Sequence, residues 1–216
     1  RSTWQQLEYT LAKLGARGIQ DRHSKVRQLL DEDGATFHVY GDPEGMHRRW
    51  PLDPLPFLIA AEEWQQLEPL LIQRAQLLNR VLEDIYGAQR LIRDRVIPGR
   101  IIWNHPAYSR ACLGIQAAGL YALPFYAADL VRDQKGQFQL IGDRSQIPTG
   151  TGYALENRMV MTRVFPDLFA SSHVHRLARF FAAIRESLLA ASDRDNPRIV
   201  VLSPGTHNES YFEQSY

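Results

Sequence analysis

The residues best suited to chemistry lie between Asp129 and Gly152. Asp129 stands near the end of an apolar stretch, Leu123 to Val131, and position 142 falls 142 − 129 = 13 residues on, at the end of a second such stretch. Alternate side chains of a strand share a face, so carboxylates near the ends of two paired strands converge on one divalent cation. Magnesium takes oxygen ligands of this kind, one or two carboxylates completed by phosphates and water. The loop Pro148-Thr-Gly-Thr-Gly152 then leads into a helical pattern. Amides at a helix N-terminus bind anions, so Gly150 and Gly152 suit a phosphate. Asp143 points to the opposite face in a regular strand and joins the site only if the register shifts by one.

Such a site needs a hairpin, a loop and a helix to hold it. Leu123 to Val131, the link Arg132-Asp-Gln-Lys-Gly136 and Gln137 to Ile141 read as strand, turn and strand. A helix follows from about 154 to 165, then Pro166, then another helix from about 174 to 191. Upstream, Trp4, Leu7, Leu11 and Leu14 recur at helical spacing before Gly15, and Ile19, Val26, Leu29 and Leu30 continue the period to Gly34. Ala35 to Gly41 reads as a short strand. Proline-rich 51–56 and the extended 57–60 precede the best-defined helix, which opens on Glu62 and Glu63 and runs through Ile85 to Gly87. Arg198-Ile-Val-Val-Leu202 has the apolar character of a buried strand and feeds the loop Ser203 to Asn208.

Composition narrows the function classes. The 216 residues carry Lys+Arg 25 against Asp+Glu 24, so the chain as a whole offers no basis for wrapping nucleic acid or lying on an anionic membrane. The single Cys112 excludes an intrachain disulfide and a cysteine-based zinc site. No apolar run approaches the roughly 20 residues of a membrane span, and a cytoplasmic location is the expectation. Arg1 is not an initiator, and the chain stops within a helical pattern at 213–216. It reads as an N-terminal fragment of a longer protein, the remainder of its own chain being one partner.

Pro148 to Arg158, Met161-Thr-Arg-Val-Phe-Pro-Asp-Leu-Phe169, Val39-Tyr-Gly-Asp42, Asp129-Leu-Val-Arg132 and Leu202-Ser-Pro-Gly-Thr-His-Asn208 with Tyr211-Phe-Glu213 together resemble the circularly permuted type 2 ATP-grasp family, relatives of glutathionylspermidine synthase-like ligases. The blocks span most of the chain from Phe37 on. The resemblance implies a mixed α+β and α/β fold in three parts. These are a helical N-terminal region with a short strand (1–58), an ATP-grasp-like portion (59–195) whose antiparallel hairpin (123–143) is flanked by helices, and the start of a Rossmann-like substrate domain (196–216).

The resemblance also implies ATP and Mg²⁺ as cofactors and a carboxylate or peptide and an amine as small-molecule substrates, joined through an acyl phosphate. Asp129 would hold the metal. Arg158 and Arg144 would serve catalysis at the phosphates, with Asp143, Gln146, Gly150, Gly152, Glu156 and Asn157 around the nucleotide and Gly205 and Asn208 toward the substrate. Family members carry Glu-x-Asn on the return strand, where this chain has Gly142 and Arg144. A cation in place of a metal ligand repels Mg²⁺. The alternative is therefore a catalytically degenerate ATP-grasp fold that binds nucleotide or protein. Lys13, Lys25 and Lys135 are not placed like an adenine-binding subdomain, so the stretch alone is expected to be inactive.

Each residue also has an ordinary reading. Asp129 can bond turn amides, Arg144 can pair with Glu156, and residues 156–158 can form a solvated, charge-paired first turn. Gly150 to Gly152 is an incomplete dinucleotide fingerprint, with Leu155 where a third small residue belongs. His173 and His175 have no partner cluster for a metal and read as surface residues. Ser203 to Asn208 is explained by turn chemistry, and Trp4, Trp50, Trp64 and Trp103 read as core.

Overall fold

A computed structural model of the chain describes residues 3–39, 48–115, 119, 121–146, 148–203, 205–206 and 208–214. The fold is α+β, with two small antiparallel hairpins among helices. The chain divides into two compact units, one of residues 1–60, 149–177 and 200–216, the other of 61–148 and 178–199.

In the first unit, α1 (Thr3–Glu32) is two helices joined at Gly15, whose φ of 63° and ψ of −178° break the helical path where the sequence period stops. Its second half ends on Gly34 with φ 69°, and Ala35 N–H donates to Leu30 O at 2.9 Å and Gly34 N–H to Asp31 O at 3.3 Å, the bond pair of a Schellman cap. A two-residue strand follows, β1 (Thr36–Phe37), paired with β2 (Arg48–Arg49). The expected strand 35–41 is thus shorter, and its end lies outside the described residues. α5 (Thr151–Val164) begins three residues earlier than its apolar pattern, and α6 (Pro166–Ser171) starts on proline, where a missing N–H costs nothing.

These pieces share one core. Leu7, Val26, Leu29 and Leu30 of α1 meet Tyr153, Val160 and Val164 of α5, Leu168 of α6 and Phe212 of α8 (Tyr211–Gln214). Trp50 closes its edge. Its ring stacks on Tyr153 at 3.9 Å and meets Phe37 edge-on at 6.1 Å, while its indole N–H donates to Asn157 Oδ1 at 2.8 Å.

The second unit is built on α2 (Ala61–Tyr86), α3 (Arg90–Arg93), α4 (Gly99–Trp103), the hairpin β3 (Ala127–Arg132) and β4 (Phe138–Arg144), and α7 (Ala178–Leu189). Polar contacts tie it together. Asp84 accepts the N–H groups of Arg90 and Leu91, each at 2.9 Å, and so caps α3. Asn79 Oδ1 takes the Leu123 N–H at 2.9 Å, and Arg132 pairs with Glu63 at 2.9 Å. Trp4 and Trp103 stay half exposed rather than entering a core.

Two expectations change at the C-terminal side. The helix expected from 174 begins at Ala178, after a turn in which His173 adopts φ 47°. Residues 198–202 form no strand among the described residues, and Val200, Val201 and Leu202 are 79%, 76% and 96% exposed. An apolar sequence makes a strand only where a neighbour takes up its hydrogen bonds, and no such neighbour is described.

Candidate functional site

The hairpin carries one half of the candidate residues. Asp133 starts its turn by accepting the N–H groups of Lys135 and Gln137, both at 2.9 Å, and Gly136 completes it at φ 80°. Those amides, Gln137 first, hold the Asp133 carboxyl below the ordinary range. The ladder pairs Leu130 with Leu140 and Asp129 with Gly142, leaving Ile141 as a bulged extra residue. Asp129 and position 142 therefore do stand opposite each other. A Cβ at Gly142 would lie 3.1 Å from Asp129 Oδ2, so the glycine leaves room for that carboxylate.

Arg144 comes back over Asp129 from the same face. Its Nε donates to both carboxylate oxygens, at 3.1 and 2.9 Å. The carboxylate it bonds within the hairpin is that of Asp129, through Nε. Asp143, on the other face, is gripped by Arg74 of α2, which donates from Nε at 2.6 Å and from Nη2 at 2.5 Å, and by the Tyr126 hydroxyl at 2.7 Å. The Arg74 hydrogen bond, then that of Tyr126, holds the Asp143 carboxyl down to about 2. Tyr126 is pushed up to about 12, first by burial and then by its bond to Asp143. Gln146 lies exposed in the bend after β4.

The other candidates belong to the first unit. Gly150 takes φ 113° at the start of α5, and the amides of Gly150, Thr151 and Gly152 point at a single atom, Oε1 of Glu213, at 2.6, 2.6 and 3.3 Å. The Thr151 hydroxyl adds a fourth bond at 3.0 Å. Glu156 is fully buried, which removes the reading of 156–158 as a solvated first turn. Asn157 holds the Trp50 indole. Arg158 lies with its guanidinium carbon 5.8 Å from the centre of the Phe169 ring, and burial lowers its pKa. Gly205, at φ 90°, accepts the Asn208 N–H at 3.0 Å, and Asn208 Oδ1 accepts from Ser210 N–H at 3.0 Å and Gln214 Nε2 at 3.1 Å.

The family described as circularly permuted ATP-grasp type 2 matches residues 56–216. The chain belongs to this family. An uncharacterised protein of Mycobacterium tuberculosis is 38% identical over all of this chain, which covers 26% of that protein. An uncharacterised protein of Synechocystis is 35% identical over 95% of the chain and 43% of its own length. A third, from Mycobacterium leprae, is 36% identical over 95% of the chain and 36% of its own length. The chain thus spans between about a quarter and somewhat less than half of these relatives' lengths.

ATP-grasp proteins bring ATP and magnesium together, and the hairpin residues here do not fit a magnesium site. One carboxylate faces a glycine, and its charge is already answered by a guanidinium. Among the described residues no group of three or more His, Cys, Asp or Glu is arranged to hold a metal ion, and no helix is long and apolar enough to cross a membrane. Sequence reasoning missed Arg74, Tyr126, Trp50 and Glu213 as partners of this ATP-grasp chain's candidate residues. Arg74 lies 69 residues from Asp143, and no local spacing reveals such a pair. Glu213 did lie within a family block, the only signal pointing to it.

Proposed function

We propose that this chain is part of an ATP-dependent ligase-like protein that joins a carboxylate to an amine, and that its hairpin supplies a side-chain cation in place of a metal ligand. One observation carries the second half of this reading: Arg144 spends its Nε on Asp129. A guanidinium has five N–H donors in a planar fork, so its Nη groups remain available to phosphate oxygens. Asp129 is then a positioning residue that aims Arg144.

In the acyl-phosphate reaction the terminal phosphoryl group of ATP passes to a carboxylate oxygen and ADP leaves. The amine nitrogen then attacks the carbonyl carbon, and inorganic phosphate departs. Cations fixed where charge spreads over the phosphoryl oxygens favour the first step, which is the role assigned to Arg144 and Arg158. Glu156 and Asn157, held by the core, set the helix that carries Arg158, and Gln146 borders the hairpin end. The segment from 196, with Gly205 and Asn208, opens the substrate domain. The exposed apolar run 200–202 supports that assignment, since strand-forming residues left in water suit a sheet completed by further chain. The full-length protein's substrates are a small carboxylate or peptide and an amine.

A second reading, favoured by the loss of a Glu-x-Asn at 142–144, is a module that binds nucleotide or protein without turnover. The test is ATP binding and ADP release by the full-length protein with and without Mg²⁺. ATP affinity that hardly changes with Mg²⁺ and drops in Arg144→Gln supports the proposal. ADP release that needs Mg²⁺, vanishes in Asp129→Ala and survives in Arg144→Gln would return Asp129 to the metal and overturn it; affinity without any turnover selects the module. Gly142→Glu with Arg144→Asn should create Mg²⁺ binding that the parent hairpin lacks.

A further inference from the structure

The loop 150–152 already has an acidic guest. Glu213 Oε1 accepts three backbone N–H groups and one hydroxyl there, four donors on one oxygen. Oxyanions seek this arrangement at a helix start, and a side-chain carboxylate meets it as a phosphate oxygen would. The close approach is built in: a Cβ on Gly152 would fall 2.8 Å from Glu213 Cα, Cγ and O, so only glycine lets the turn lie this near.

The turn carrying Glu213 is docked at two further points. Phe212 is buried, its ring 5.6 Å from that of Tyr153, and the carbonyl of Glu209 accepts the His38 N–H at 3.1 Å. Yet the clamp is half-made. Glu213 Oε2 is shut from solvent with no hydrogen-bond partner among the described residues. An unanswered carboxylate oxygen opposes the clamp, so its hold is weaker than the four bonds on Oε1 suggest. A phosphate group could use the same donors and keep its other oxygens in water.

We propose that Glu213 is a built-in stand-in for a phosphate-bearing ligand at the amides of Gly150, Thr151 and Gly152, so that the turn 209–214 and such a ligand occupy the loop in alternation. The turn is a latch. While it is closed, Gly152 serves the latch and not a nucleotide. The choice of phosphate rests on the nucleotide reading above, whereas the latch itself stands on the bonds to Glu213.

Pyrophosphate without Mg²⁺ is the probe, titrated calorimetrically into the chain, with hydrogen exchange followed at 148–155 and 205–214. Removing the carboxylate in Glu213→Ala should tighten pyrophosphate binding about tenfold, with Glu213→Gln intermediate because its amide oxygen still accepts without charge. In the parent chain, rising pyrophosphate should speed exchange at 209–214 while slowing it at 150–152. That measurement remains decisive if either variant fails to fold. Equal affinity in parent and Glu213→Ala, or a parent whose 209–214 exchange ignores saturating pyrophosphate, overturns the proposal. Full-length protein that never turns over ATP, beside a Glu213→Ala chain that gains affinity, defeats the ligase reading and leaves the latch standing.

Discussion

The two units of this chain hold their candidate residues by different means. The first carries the apolar core, with Leu30, Val26, Val160, Val164 and the Glu156 side chain almost wholly shielded from water. The second has a single buried apolar residue among the described ones, Leu67, and exposes Leu70, Ile72, Leu77, Ile101 and Ile141. Its hairpin is instead held by charge: Arg74 on Asp143, Arg132 on Glu63, Arg144 on Asp129. A packed core fixes a side chain through many contacts that resist change, whereas ion pairs near water hold weakly and respond to salt and pH. Gly150, Asn157 and Arg158 therefore sit on a rigid support, and Asp129, Asp143 and Arg144 on an adjustable one.

The sharpest break of this contrast is in the cores. Leu30→Ala should cost about 2–5 kcal/mol, because it removes a side chain 1% exposed from a closed cluster. Leu77→Ala, at 57% exposed, should stay within about 0.5 kcal/mol. Urea unfolding of each variant measures both. A large loss at Leu77 would mean that the second unit buries this face in the folded protein in solution.

Next comes the edge of the core, where Trp50→Phe keeps an aromatic ring, smaller than the indole, and deletes the indole N–H. Asn157 Oδ1 then loses its 2.8 Å donor in a half-buried place, at a cost of about 1–3 kcal/mol. The double variant with Asn157→Leu should recover part of it, since removing both polar partners leaves none unsatisfied. Thermal melting of the three proteins decides this.

Much of this framework was legible. Gly15 and Gly34 marked the breaks in α1 because a helical period cannot pass a residue at positive φ without a turn. The β3–β4 hairpin was legible for a similar reason: two apolar runs flank Asp133 and Gly136, which make the turn locally. The site was legible only as positions. That Asp129 and 142 stand opposite follows from counting, but what answers the Asp129 charge depends on the path of the Arg144 side chain. Glu213 lies more than 60 residues from the loop it caps, and Trp50 107 residues from Asn157, so their pairings exist only in the fold. Residues 198–202 misled because an apolar β-forming run reads the same whether or not neighbouring strands are at hand.

The charge-held unit should answer to pH, with Asp143 as the responding group. Its carboxyl lies at about 2 in the fold against an ordinary 3.8, so the unfolded chain takes up a proton first as pH falls. The stabilisation it gives is complete above pH 3.8 and is lost as pH falls toward 2. Tyr126, raised to about 12 from 10.0, works at the other limit, where its contribution fades as pH rises through that window. Arg74→Leu should flatten the acid limb, read from denaturation midpoints across pH. An acid limb unchanged by that substitution would mean Arg74 does not hold Asp143 in solution.

The smallest expected effect on stability is the most informative about the site. Asp129 and Arg144 are 41% and 57% exposed, so Asp129→Asn should move stability by only about 0–1 kcal/mol. If Asp129 aims Arg144, the same change should weaken phosphate contact about as much as Arg144→Gln does, and the two substitutions together should cost little more than either. Non-additivity of that kind marks residues acting as one device. If Asp129 instead ligates a cation, its loss and the loss of Arg144 should push ATP affinity in opposite directions, because removing a guanidinium frees a carboxylate for the metal while removing the carboxylate takes the ligand away. A double-mutant cycle on ATP binding, run with and without Mg²⁺, separates the two by sign rather than by size, so it stays readable when each single effect is small.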